Sequence, residues 1–189
     1  MAAVLLLAFT FGAPAVGRLL FAPWSISLGG RETLTGPWAG SLQTRHGAEF
    51  GLFLDLEYRE RPGPGYRSGG GALSINNIQG RATLCTPKRE RYVYNMSGKA
   101  DPMGGIEALW LEYGDPSLSG FDLQMKGAWR DGALQLTTIK NPFLPDGRLL
   151  AARTLSSSEP LDPDDYFAPA SLTERDRAAF EATCQRIGA

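Results

Sequence analysis

The chain has 189 residues, 43% of them hydrophobic, and a formal net charge of −1 from 19 Lys plus Arg against 20 Asp plus Glu. That is enough for one core with a terminal extension. The charge balance supplies no positive field for a phosphate backbone, so no nucleic-acid partner is expected. One His and two Cys are too few for a His- or Cys-built zinc site, and His-dependent acid/base chemistry would rest on His46 alone.

Residues 1–26 come first. Ala2 to Gly17 is almost wholly apolar, Arg18 is the single charge in residues 1–30, and Leu19 to Trp24 extend the greasy run to an aromatic suited to a membrane interface. The run is long enough for a hydrophobic helix that spans a bilayer. A cleaved signal peptide competes with it, since Ala13-Pro14-Ala15 has the small-x-small pattern of a cleavage site, although no Lys or Arg precedes the apolar stretch. An interfacial or core helix is the third alternative, because Gly12, Pro14 and Gly17 interrupt the run. The first two readings place the domain outside the cytoplasm: periplasmic if the host is bacterial, secreted if the segment is removed.

Residues 27–35 read as a linker, and residues 36–158 as an antiparallel β domain. Strand one is expected at 36–44, with Trp38, Gly40 and Leu42 on one side of an extended chain. Arg45-His46-Gly47 is turn-like. Phe50, Leu52, Leu54, Leu56 and Tyr58 then alternate with Gly51, Phe53, Asp55 and Glu57, the period-two pattern of a half-buried strand. The Pro- and Gly-rich stretch 61–71 predicts a loop. Short strands follow at 72–78, 80–86, 91–97 and 105–113; in the last, Ile106, Ala108 and Trp110 face away from Glu107, Leu109 and Leu111, and both faces are expected to be covered. Phe121, Leu123, Met125, Gly127 and Trp129 alternate cleanly with polar residues, and Asp131-Gly132 supplies both positive-φ positions of a type I′ hairpin into Leu134, Leu136 and Thr138. A last strand is expected at 148–155.

Residues 159–189 read as a Pro-rich acidic linker and an amphipathic helix. Ser171-Leu172-Thr173-Glu174 has the form of a capping box and predicts the helix start, with Ala179, Phe180, Thr183, Cys184 and Ile187 as its buried stripe. The whole is a mainly β fold: an antiparallel barrel or sandwich of about eight strands, with an N-terminal hydrophobic helix and a C-terminal amphipathic one.

Gly36-Pro37-Trp38 resembles the Gly-x-Trp signature that opens the first strand of lipocalins and related calycins, and the succession of antiparallel strands and late helix is similar. The resemblance implies that Trp38 closes a barrel floor beside Gly36, and that Arg148 or Arg153 is the family's arginine packed across the Trp. It also implies carriage of a small hydrophobic ligand.

Cys85 ends an expected strand and Cys184 lies on the helix stripe, so a disulfide would pin the helix to the β body; two separate buried thiols are the alternative. Arg81, Lys88, Arg89 and Arg91 cluster around one expected turn, either as an interaction patch for acidic groups or as an ordinary charged hairpin end. His46 reads as a solvated turn residue, and Asp162, Asp164 and Asp165 lack the spacing of a calcium loop. Asn95-Met96-Ser97 is a glycosylation acceptor in a eukaryotic secretory host only. The aromatics Trp38, Tyr58, Tyr92, Tyr94, Trp110, Phe121 and Trp129 read as inward-facing, either packing a core or lining a cavity. No phosphate loop, dinucleotide fingerprint or nucleophile elbow is present, so neither metal nor cofactor is expected. The leading functional expectation is a non-enzymatic, membrane-anchored extracytoplasmic subunit of a larger membrane protein complex, in contact with the bilayer through residues 1–24. The alternatives are the lipocalin-like carrier and an enzyme using carboxylates such as Asp55, Glu57 or Glu107.

Overall fold

A computed structural model of the chain describes residues 33–44, 47–58, 76–101, 104–114, 122–130, 132–140 and 167–187. The expected N-terminal hydrophobic helix and the strand at 148–155 lie outside these residues. Among the described residues no helix is long and apolar enough to cross a membrane.

Eight strands follow one another as a meander: β1 (Gly36–Gln43), β2 (Glu49–Tyr58), β3 (Ile78–Cys85), β4 (Arg91–Ala100), β5 (Gly105–Tyr113), β6 (Leu123–Arg130), β7 (Ala133–Lys140) and β8 (Ala170–Leu172). Each pairs antiparallel with the next in one sheet. The sheet curls into a nearly closed barrel because β8 and its flanks return to β1. Ala39 N–H donates to the Glu174 carbonyl at 2.8 Å and Ala168 N–H to the Gln43 carbonyl at 2.7 Å. Bringing the two edges together in this way satisfies strand groups that an open sheet would leave unpaired.

The period-two residues fill the inside. Trp38, Leu42, Phe50, Leu52, Leu54, Leu84, Leu109, Leu111, Leu123, Met125 and Leu134 have no exposed surface, so none of them borders space large enough for water. They belong to one continuous apolar cluster.

Three local readings give way to tertiary context. Residues 78–85 form a single strand through Gly80, which pairs with Leu56 and Met96, so the break expected between 78 and 80 is absent; residues 72–75 lie outside the described residues. In β5 the register against β6 shifts between Ile106 and Leu109. This irregularity turns Ile106, Leu109 and Leu111 inward and leaves Trp110 half-buried on the outer face, against the expectation that Trp110 faces in. The capping box is not a helix start: Ser171 and Leu172 belong to β8 and pair with Gln135 and Leu134. The helix, α1 (Arg177–Ile187), begins after Asp176, whose Oδ1 accepts from Ala179 N–H at 2.8 Å as the true N-cap. The β6–β7 turn does have the expected length, with Arg130 opposite Ala133 and Gly132 at φ 73°.

Candidate functional site

Three places on the barrel gather polar chemistry: the floor, the flank under α1, and the opposite rim.

The floor is set by Gly36-Pro37-Trp38. Trp38 is fully buried, and its Nε1–H donates to the Leu34 carbonyl at 2.8 Å, which folds residues 33–35 across the end of the barrel. The guanidinium of Arg175 stacks 3.9 Å from the Trp38 ring centroid and donates from Nη2 to the Thr35 carbonyl at 3.1 Å. Gly36 adopts φ 124°, and a Cβ there would lie 3.2 Å from Arg175 Nη2, so only glycine suits both the backbone and the approaching cation. The cation over the Trp is therefore Arg175; Arg148 and Arg153 lie outside the described residues. Sequence reading missed Arg175 because the eighth strand was sought at 148–155. The available signal was a cation three positions after Ala170–Leu172, a strand whose three residues are too few to show a period.

On the flank, α1 lies across the outer faces of β1 and β2. This explains why β2 is buried on both sides over its first half: Phe53 points outward but is covered by Phe180, their ring centroids 5.6 Å apart. Ala39, Phe53, Cys85, Phe180 and Cys184 make a second apolar cluster, separate from the barrel interior. Cys85 and Cys184 form a disulfide with Cα atoms 6.0 Å apart. The bridge rests on Gly51, where a Cβ would come within 2.6 Å of Cys85 Sγ. Two bidentate ion pairs reinforce the contact: Arg91 with Glu181 on α1, and Arg186 of α1 with Glu49.

Hydrogen bonding from Arg186 holds the Glu49 carboxyl below its ordinary value, and Arg91 does the same to Glu181, with burial opposing both. Depressed folded values mean that these pairs contribute fully above the ordinary carboxylate value of 4.5 and lose their contribution as pH falls below it. The expected result is faster amide exchange in α1 than in β2 on acidification below 4.5, while the bridge keeps the helix attached. Equal protection of the two elements across that range would show that the pairs do not clamp the helix.

The four basic residues of the expected patch are distributed unevenly. Arg81 sits mid-strand, opposite Asp55 and Asn95. Lys88 and Arg89 lie in the β3–β4 turn, and Arg91 is engaged by Glu181. Glu57 accepts from Gln79 Nε2, and Glu107 pairs with Lys99 at 2.5 Å. His46, Asp162, Asp164, Asp165 and Phe121 lie outside the described residues. No group of three or more His, Cys, Asp or Glu among the described residues is placed to hold a metal ion.

Near the rim, Tyr113 lies between Tyr92 and Tyr94, its ring centroid 6.0 Å from the tilted ring of Tyr92 and 5.7 Å from Tyr94, which it meets edge-on. Tyr92 donates to Glu90 at 2.9 Å, and its hydroxyl is pushed up to about 12, first by burial and then by that carboxylate. The Tyr94 hydroxyl, raised by burial, and the Thr138 hydroxyl are both buried without a hydrogen-bond partner. Buried polar groups are ordinarily paired, so each of these hydroxyls is an uncompensated polar atom in an apolar interior.

Comparison with models of protein families, with curated proteins and with solved structures found no match to this chain.

Proposed function

We propose that the protein is a membrane-tethered accessory subunit whose extracytoplasmic β-barrel head docks onto a larger membrane protein complex and performs no chemistry of its own. The filled barrel interior carries this reading. Side chains without exposed surface occupy the inside, so the barrel serves as a rigid scaffold and recognition falls to its outer face and end loops. The Cys85–Cys184 bridge fits an oxidising compartment, and the apolar residues 1–24 supply the tether. Purification under native conditions from detergent-solubilised membranes is expected to yield the protein at the mass of a complex. Recovery as a lone monomer would overturn the reading.

A second reading, a lipocalin-like carrier, draws on the unpaired Tyr94 and Thr138 hydroxyls and on the Trp38–Arg175 floor. A ligand with an apolar body and one polar group would answer those hydroxyls, provided the Tyr rings move apart. Saturable quenching of tryptophan fluorescence by an apolar probe would support carriage, and quenching that rises linearly with probe would remove it.

A further inference from the structure

We infer that the Cys85–Cys184 bridge is a reducible latch with its own reagent site, a surface cleft that admits a small anionic thiol. Both cysteines line this cleft of about 190 Å³, together with Arg89, Arg91 and Gln185. The bridge therefore borders a space that solutes reach, and Cys184, at 7% exposure, is the more open of the two sulfur-bearing residues.

The turn that builds one wall is unusual. Thr86 Oγ1 accepts from the backbone N–H groups of Lys88 and Glu90, and the Thr86 carbonyl accepts from Arg89 N–H at 2.9 Å. This arrangement leaves Arg89 at φ 64°, the one non-glycine residue with positive φ among the described residues. Glycine or asparagine would adopt that conformation with less strain. The long cationic side chain found there is one that faces the disulfide cleft. Backbone strain maintained next to a reactive group is an observation from which a role can be argued.

Arg91 stands in register with Cys85, is fixed by Glu181, and lies 5.9 Å from the Phe180 ring centroid. Cations beside a disulfide do two things. They raise the local concentration of an anionic attacker, and they stabilise the thiolate that leaves. The chemistry is a two-step exchange. A thiolate of the small molecule bonds to Cys184 Sγ, and the Cys85–Cys184 bond breaks with its electron pair left on Cys85 Sγ beside Arg91. A second thiolate then attacks the small-molecule sulfur of the mixed disulfide and releases Cys184 as its thiolate. Two thiols are oxidised to one small-molecule disulfide, and the bridge is reduced to two cysteines.

The barrel interior takes no part in this. What the latch controls is α1, which after reduction would be held by its ion pairs, by Phe180 and Arg177 on Phe53, and by Ile187, without a covalent tie. Its release uncovers Ala39 and Phe53 on the outer faces of β1 and β2. The inference does not depend on the docking reading.

The test uses the full-length folded chain at low ionic strength. Bridge opening is followed by alkylation and intact mass, with 2-mercaptoethanesulfonate as the anionic thiol and 2-mercaptoethanol as the neutral one, compared at equal thiolate concentration. The sulfonate is expected to open the bridge roughly tenfold faster. That advantage should shrink with added salt and fall in Arg89→Gly, a substitution that suits the turn and removes one of the two charges. Hydrogen exchange after reduction should then show α1 opening while β2 to β7 stay protected. Equal rates for the two thiols, an undiminished preference in Arg89→Gly, or opening at a rate independent of thiol because it awaits global unfolding would each overturn the inference.

Discussion

Replacing Trp38 by alanine is expected to destabilise the protein by about 3–5 kcal/mol, the range for removing a large buried aromatic side chain. For a chain of this length that corresponds to a drop in midpoint temperature on the order of 10 °C. Several effects act together at this position. The indole has no exposed surface, its Nε1–H is the donor that folds Leu34 across the floor, and its face carries the Arg175 guanidinium. Alanine leaves a cavity, an unpaired Leu34 carbonyl and a cation without its ring. Arg175→Lys isolates the last of these effects: it retains the charge, loses the flat surface, and should cost about 1 kcal/mol. Thermal unfolding followed by circular dichroism measures both. A Trp38→Ala protein melting within a degree or two of the parent would show that the floor is not part of the cooperative core.

The second large effect is expected from the double replacement Cys85→Ser with Cys184→Ser, at about 2–5 kcal/mol. The origin is different. The two cysteines are 99 residues apart, so the bridge closes a long loop, and in the chain-entropy account a loop of about that size removes conformational freedom from the unfolded ensemble. The strand signal of the native spectrum should therefore be unchanged, with any loss confined to α1. The denaturant dependence should steepen, because an unbridged unfolded chain exposes more surface. Urea unfolding of parent and double variant decides it, and an unchanged midpoint would show that native contacts of α1 carry the stability by themselves. Trp38→Ala acts on the folded state, and the cysteine replacement chiefly on the unfolded one.

A filled barrel with a covalently attached helix also frames the functional proposal. The inward layer leaves the described strands little capacity to bend, and α1 covers one outer flank. A docking partner would thus meet either the remaining outer faces or the ends. The rim tyrosines and the β3–β4 turn with Lys88 and Arg89 lie at the end away from Trp38, since β1 runs from the floor at Gly36 toward Gln43, and β3 ends at Cys85 on that same side.

Much of the architecture was legible in residue order. Strands β2 and β6 stand out because alternation is a local property: each residue's face depends only on its neighbours two positions away. The Asp-Gly turn and the stripe of α1 are readable for the same reason, since turn conformation and helical spacing are settled within a few residues.

What local pattern could not decide was everything set by closure of the sheet. Trp110 changed faces because β5 slips against β6, and a slip belongs to two strands rather than one. Ser171-Leu172-Thr173-Glu174 has the residues of a helix cap, yet pairing with β7 and the return to β1 convert it to strand and bridge. Arg175 reaches Trp38 across 137 positions of chain only once that return is made. The sequence favoured a Cys85–Cys184 bridge over two separate thiols, and docking of α1 brings their Cα atoms to 6.0 Å, where the bridge forms. Residue order settles which residues prefer strand, turn or helix, and which side of each is apolar, because those preferences arise from short-range sterics and burial. Register, the position of the eighth strand and the partner of Trp38 come from the closed barrel, because each is a meeting of distant segments whose free energy appears only when the sheet closes.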